Sequence, residues 1–116
     1  MFMKKYVFIV TDRNRNNLHV GLSSDLNKTM DFYQKIPNLS FDNSSHISRL
    51  VYFEELSTEL NAQTRFNLIN RFTRAQKEKL IRAVNEDWVD LSLGLKHEVI
   101  ARKRIFMPQA MLSFAS

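Results

Sequence analysis

The run "YVFIVTDRNRNNLHVGL", residues 6–22, decides how the rest of the chain can fold. Tyr6–Val10 is dense in β-branched and aromatic side chains, which suit a pleated, half-buried surface. "TDRNRNN" is a polar connection whose asparagines tolerate the left-handed conformations of turns. Leu18–Leu22 then returns as a second strand, so the run predicts a hairpin. Alternation along that second strand puts His19 and Gly21 on one face. A histidine there could be a ligand, a general base or a strand residue with no chemical task.

Downstream, Ser23 or Ser24 can cap a helix over residues 25–35. Leu26, Met30 and Tyr33 recur there at i, i+4 and i+7 and form one apolar stripe. Pro37 ends that helix, and residues 38–46, "NLSFDNSSH", form a polar loop. "SRLVYFEEL", residues 48–56, is a third strand. Its unbroken Leu50–Phe53 run fits a strand covered on both faces. Residues 57–72 form a second helix capped by Ser57 or Thr58, with Ala62, Phe66, Ile69 and either Phe72 or Leu68 toward the core. Thr73 and Gln76 match a capping box that opens a third helix, residues 74–84. Asn85 ends it, and "EDWVDLS" closes the domain with Trp88. The order β-β-α-β-α-α is that of a small α+β domain with a three-stranded sheet. From Leu93 the pattern changes.

The 116 residues suffice for one domain with a hydrophobic core, and 44% hydrophobic with 25% charged residues is ordinary for a soluble globular chain. The absence of cysteine excludes disulfides, thiolate zinc sites and cysteine nucleophiles. A reducing cytoplasm suits such a composition. "MFMKKYVFIV" reads as a first strand and not as a signal peptide. No apolar run approaches the roughly 20 residues a bilayer span requires, so no membrane partner is expected.

The net charge of +5 is unevenly placed. Residues 1–61 carry seven Lys/Arg and seven Asp/Glu, whereas residues 62–116 carry ten and five. The second half would attract a polyanion such as DNA through Arg71, Arg74, Lys77, Lys79 and Arg82, although a solvated basic face has the same composition. Arg102, Lys103 and Arg104 form a second cluster, followed by Ile105, Phe106 and Met107.

Several strings, in order, resemble the GIY-YIG nuclease domain, especially its small single-domain bacterial members. Tyr6-Val7-Phe8 stands where the family has a "YVY"-like motif, and His19-Val20-Gly21 where it has "YIG". "GLSSDL" is similar to "GITNDL", "LVYFEEL" to "LVYYEEF", "TRAQKEKLI" to "SRAKKEALI" and "NEDWVDL" to "NPEWRDL". The resemblance covers about residues 4–92. It implies a three-stranded antiparallel sheet flanked by helices over residues 1–92, with 93–116 an extension packing on the domain or on a partner.

For chemistry, the resemblance implies phosphodiester cleavage by a divalent metal on a helix glutamate, a hairpin tyrosine that helps activate the nucleophile, and an arginine that steadies the phosphate. Here those positions have changed. The tyrosines fall on Phe8 and His19, the arginine on Thr29 beside Lys28, a family histidine on Tyr33, and the metal glutamate on Phe66. A phenylalanine offers no oxygen to a hard cation.

The expectation is therefore a degenerate GIY-YIG-like domain that retains His19 and Lys28 as remnants, holds no cofactor, and binds nucleic acid without cleaving it. Two alternatives stand beside it. One is a divergent endonuclease using His19 as general base, with Mg²⁺ or Mn²⁺ recruited by a carboxylate such as Glu54, Glu55 or Glu59. The other is a module in which Phe8, Phe66 and the apolar tail meet a protein partner or a second copy.

Overall fold

The computed structural model describes residues 4–35 and 47–95. Pro37, the 38–46 loop, the Arg102–Arg104 cluster and the apolar tail lie outside the described residues. The elements are β1 (Lys5–Asp12), β2 (Leu18–Ser23), α1 (Leu26–Lys35), β3 (Ile47–Leu56), α2 (Glu59–Asn70) and α3 (Arg74–Val84). The sheet is three-stranded and antiparallel, in the order β2-β1-β3. The α+β class and the order of elements are those predicted.

The central strand β1 is buried continuously from Val7 to Asp12 because both its faces are covered. On one face Phe8, Val10 and Leu50 pack with Leu26 and Met30 of α1 and with Leu95. On the other, Val7, Ile9, Val20, Val51 and Tyr52 pack with Ile69 of α2, Ile81 of α3 and Trp88. Alternation along β1 thus feeds two cores, one to each side. Leu95, three residues past the end of the family resemblance, closes the first of them.

A register shift on β3 explains its unbroken apolar run. Ile9 faces Tyr52 whereas Val10 faces Leu50, which leaves Val51 as an extra residue in the ladder. Val51 and Tyr52 can therefore enter the same core although they are neighbours, while Leu50 enters the other. The segment after α3 secures this bulge. The buried Asn85 side chain donates to the carbonyls of Val51 (3.0 Å) and Val89 (2.8 Å) and accepts from Val89 N–H (2.9 Å). Asp90 accepts from Leu50 N–H (3.1 Å), and Leu91 N–H donates to the Leu50 carbonyl (2.7 Å). The string "NEDWVDL" is thus a clamp on the irregular part of the sheet, and Trp88 takes a left-handed backbone (φ 57°) inside it.

The hairpin corrects one detail of the reading. Its left-handed residue is Arg15 (φ 60°), not an asparagine. The strain is held from outside the loop: the Arg15 guanidinium lies 5.1 Å from the Trp88 ring, and Arg74 donates to the carbonyls of Asn16 (2.9 Å) and Arg15. Asp12, fully buried, takes the loop amides of Asn14 and Asn16 (both 2.9 Å) and the Asn17 side chain (2.8 Å).

The helix starts are mostly as expected. Thr58 caps α2 through Asn61 N–H, and Thr73 with Gln76 forms the capping box of α3. At α1 the cap shifts: Asp25 accepts from Lys28 N–H (3.1 Å), while Ser23 accepts from Asp25 N–H (2.9 Å). Neither Ser23 nor Ser24 is the cap itself, because the first turn begins only at Leu26. Phe72, two residues past the end of α2, and not Leu68 packs against the core; Leu68 is exposed.

Candidate functional site

The β2 edge, the outer side of α1 and one residue of α2 enclose an open groove of about 500 Å³. Its lining includes Phe8, His19, Thr29, Lys28, Tyr33 and Phe66. These are the six positions the sequence nominated, drawn from four elements and up to 58 residues apart. Val20, Gly21, Leu22 and Phe32 complete it.

Register explains the meeting. Phe8 lies opposite Gly21 and Val10 opposite His19, so Phe8, Gly21 and His19 share the face of the sheet that α1 covers. A side chain on Gly21 would collide with the Phe8 ring, 2.9 Å from Cε1 and 3.0 Å from Cε2. Gly21 is therefore needed for close approach and not for a turn; no described glycine has a positive φ. Phe8 is 2% exposed and forms the floor.

Tyr33 joins the aromatic groups. Its ring meets Phe8, His19 and Phe32 edge-on, at centroid distances of 6.3, 6.0 and 6.0 Å. Burial pushes its phenol above the ordinary value. His19 is exposed at the rim. Phe66 is half-buried, packing against the core on the α2 side and lining the groove as well. Its expected packing against the core is what that position shows.

Phe32 was missed by the sequence reading. It is 61% exposed and lies four residues after Lys28, off the Leu26-Met30-Tyr33 stripe. An aromatic residue on the polar side of an otherwise amphipathic helix was the available signal. Thr29, where the family arginine falls, is engaged with Ser23 through its hydroxyl (2.6 Å) and ties α1 to the end of β2. Lys28 is exposed, and among the described residues no carboxylate pairs with it.

Among the described residues no carboxylate lines the groove. Glu54 lies on the opposite face, opposite Val7, where Arg65 grips it with two hydrogen bonds (2.6 and 2.9 Å) and the Tyr52 hydroxyl donates to it. Burial foremost, then the Glu54 contact, pushes the Tyr52 phenol up; Glu54 in turn raises Arg65. Glu55 faces Tyr6, which donates to it at 3.4 Å, and pairs with Lys4 at 3.5 Å. It is two strands and four rungs from His19, about 16 Å by strand geometry. Glu59 pairs with Lys5 (3.8 Å) in a neighbouring depression. Neither Glu54 nor Glu55 therefore stands beside His19. The described residues contain no cluster of three His, Asp or Glu that could hold a cation. One imidazole among aromatic rings does not fit a hard divalent ion.

The five basic residues nominated for nucleic acid do not form one stripe. Arg74 and Arg82 flank Glu78, at 2.8 and 3.6 Å, and Arg74 also holds the hairpin. Lys77 and Lys79 point about 200° apart around α3. Arg71 stands at the end of α2. No described helix is long and apolar enough to cross a membrane.

No known family profile and no curated protein matches the sequence. Among solved structures, the solution NMR structure of a UPF0213 protein from Bacillus halodurans is similar at 18% identity and a TM-score of 0.44, covering 68% of this chain and 83% of that one.

Proposed function

We propose that this chain is a GIY-YIG-like domain that binds nucleic acid through the groove and does not cleave it. The observation that supports the reading best is the meeting of Phe8, His19, Lys28, Thr29, Tyr33 and Phe66 around one concavity. They are separate in sequence; by the resemblance, Phe8, His19, Thr29, Tyr33 and Phe66 stand where the GIY-YIG motifs place catalytic groups, and Lys28 stands beside Thr29. Their chemistry has changed together: aromatic rings stand where a metal carboxylate and a phenolic hydroxyl would act, and threonine where an arginine would.

His19 retains an imidazole and Lys28 a cation, which are groups for contact. Cleavage would also require a Lewis acid or equivalent stabilisation of developing charge. Among the described residues the lining offers neither a hard-ion site nor a guanidinium.

The test pairs two assays on the purified protein. Plasmid, flap and single-stranded DNA are incubated with Mg²⁺ or Mn²⁺, and binding to the same substrates is titrated against salt. The reading expects intact DNA and an affinity that falls steeply with salt. Cleavage that disappears in His19→Ala would overturn it in favour of the divergent endonuclease. Salt-insensitive or absent binding would overturn the nucleic-acid assignment.

A further inference from the structure

Resting on that reading, we infer that the groove takes an unpaired nucleotide, stacking its base on Phe32 and His19 while Lys28 contacts the adjoining phosphate. The occupant is a single-stranded segment rather than a duplex.

The inference begins with Phe32. With 61% of its surface exposed it adds little to the core, yet its ring meets Tyr33 edge-on. Tyr33 in turn meets Phe8 and His19 edge-on. The groove therefore gathers aromatic rings in contact with one another, and aromatic side chains have few torsions to lose when a flat ligand lands on them. Aromatic faces beside a cation are the pair of features by which proteins hold single strands, because every base has a π-face and every nucleotide a phosphate.

Charge fits the same occupant. Among the described residues the groove lining holds one cation, Lys28, and no carboxylate, and the chain has a net charge of +5. An anionic strand meets no opposing charge from those residues. Its volume of about 500 Å³ is enough for one or two nucleotides. A duplex conceals its base faces by stacking, so the rings could reach them only at an end or after extrusion.

The experiment measures binding of three fluorescent probes over a range of salt concentrations: a single-stranded 12-mer, the same 12-mer as duplex, and a 12-mer with abasic sites. The proteins are wild type, Phe32→Ala and Lys28→Gln, with circular dichroism as a control that both variants fold. Their exposed positions leave the cores intact. Wild type is expected to prefer the single strand over both other probes. Phe32→Ala should weaken single-strand binding about tenfold with an unchanged salt slope. Lys28→Gln should reduce that slope by about 0.7. Duplex or abasic probe bound as tightly as the base-bearing strand, or an unaltered affinity in Phe32→Ala, overturns the stacking inference and leaves the broader nucleic-acid reading standing. Absence of salt-dependent binding to all three probes overturns both.

Discussion

The Phe8 ring lies directly against the backbone of Gly21, its partner across the β1–β2 ladder. The ring fills the space in which any other residue would carry its Cβ. Since Phe8 is enclosed by α1 and Tyr33, it cannot swing away without disturbing that core.

Gly21→Ala is therefore expected to destabilise the domain by about 1–3 kcal/mol, the range for an overpacked site. Phe8→Leu should relieve the collision. In urea denaturation the double variant should lose less stability than the two single losses combined. Strict additivity would show that Phe8 and Gly21 do not constrain one another.

Asn85→Ala removes the side chain that satisfies Val51 and Val89 in the clamp. Buried backbone groups left unpaired make a loss of about 3 kcal/mol the expected outcome. Hydrogen exchange should then quicken first at the β3 bulge, around Leu50 and Val51. A uniform increase across the sheet would count against a local clamp.

Arg65→Met leaves Glu54 without its bidentate partner on a face where the carboxylate is largely covered. The guanidinium is about one-third exposed, which discounts the pair, so a loss of about 1–2 kcal/mol is expected. Pairing the change with Glu54→Leu should recover part of it. A double variant as unstable as the two changes added together would refute a specific pair.

Asp12 supplies the pH dependence. Burial alone raises its carboxyl, but the amides of Asn16, Asn17 and Asn14 outweigh this and hold it below the ordinary value. A lowered folded-state pKa means that the unfolded chain binds the proton more readily. The contribution is thus present above the unfolded value of about 3.9 and is lost as pH falls through the lower folded value. The stability difference between wild type and Asp12→Asn should shrink as pH drops below about 4, as followed by urea midpoints. A difference that does not change with pH would remove the carboxylate from this role.

The sequence by itself determined the elements, because their signals are local. β-branched runs, Thr58, the Thr73–Gln76 capping box and the Leu26-Met30-Tyr33 stripe each act within a turn or two of backbone. The motif order was also sufficient to nominate Phe8, His19, Lys28, Thr29, Tyr33 and Phe66. What only the tertiary structure decided was long-range. Asparagine content pointed to a left-handed residue in the hairpin, but stacking on Trp88 and the hydrogen bonds from Arg74 allow Arg15 to bear it. Glu54 and His19 look equally available in the chain, yet strand alternation sends them to opposite faces of one sheet. Phe32 stands out in the chain only as an aromatic residue off the apolar stripe, and the placement of α1 beside β2 makes it part of a groove. Local backbone preference is written in neighbouring residues; which side chains share a surface depends on register, and register is settled by the fold as a whole.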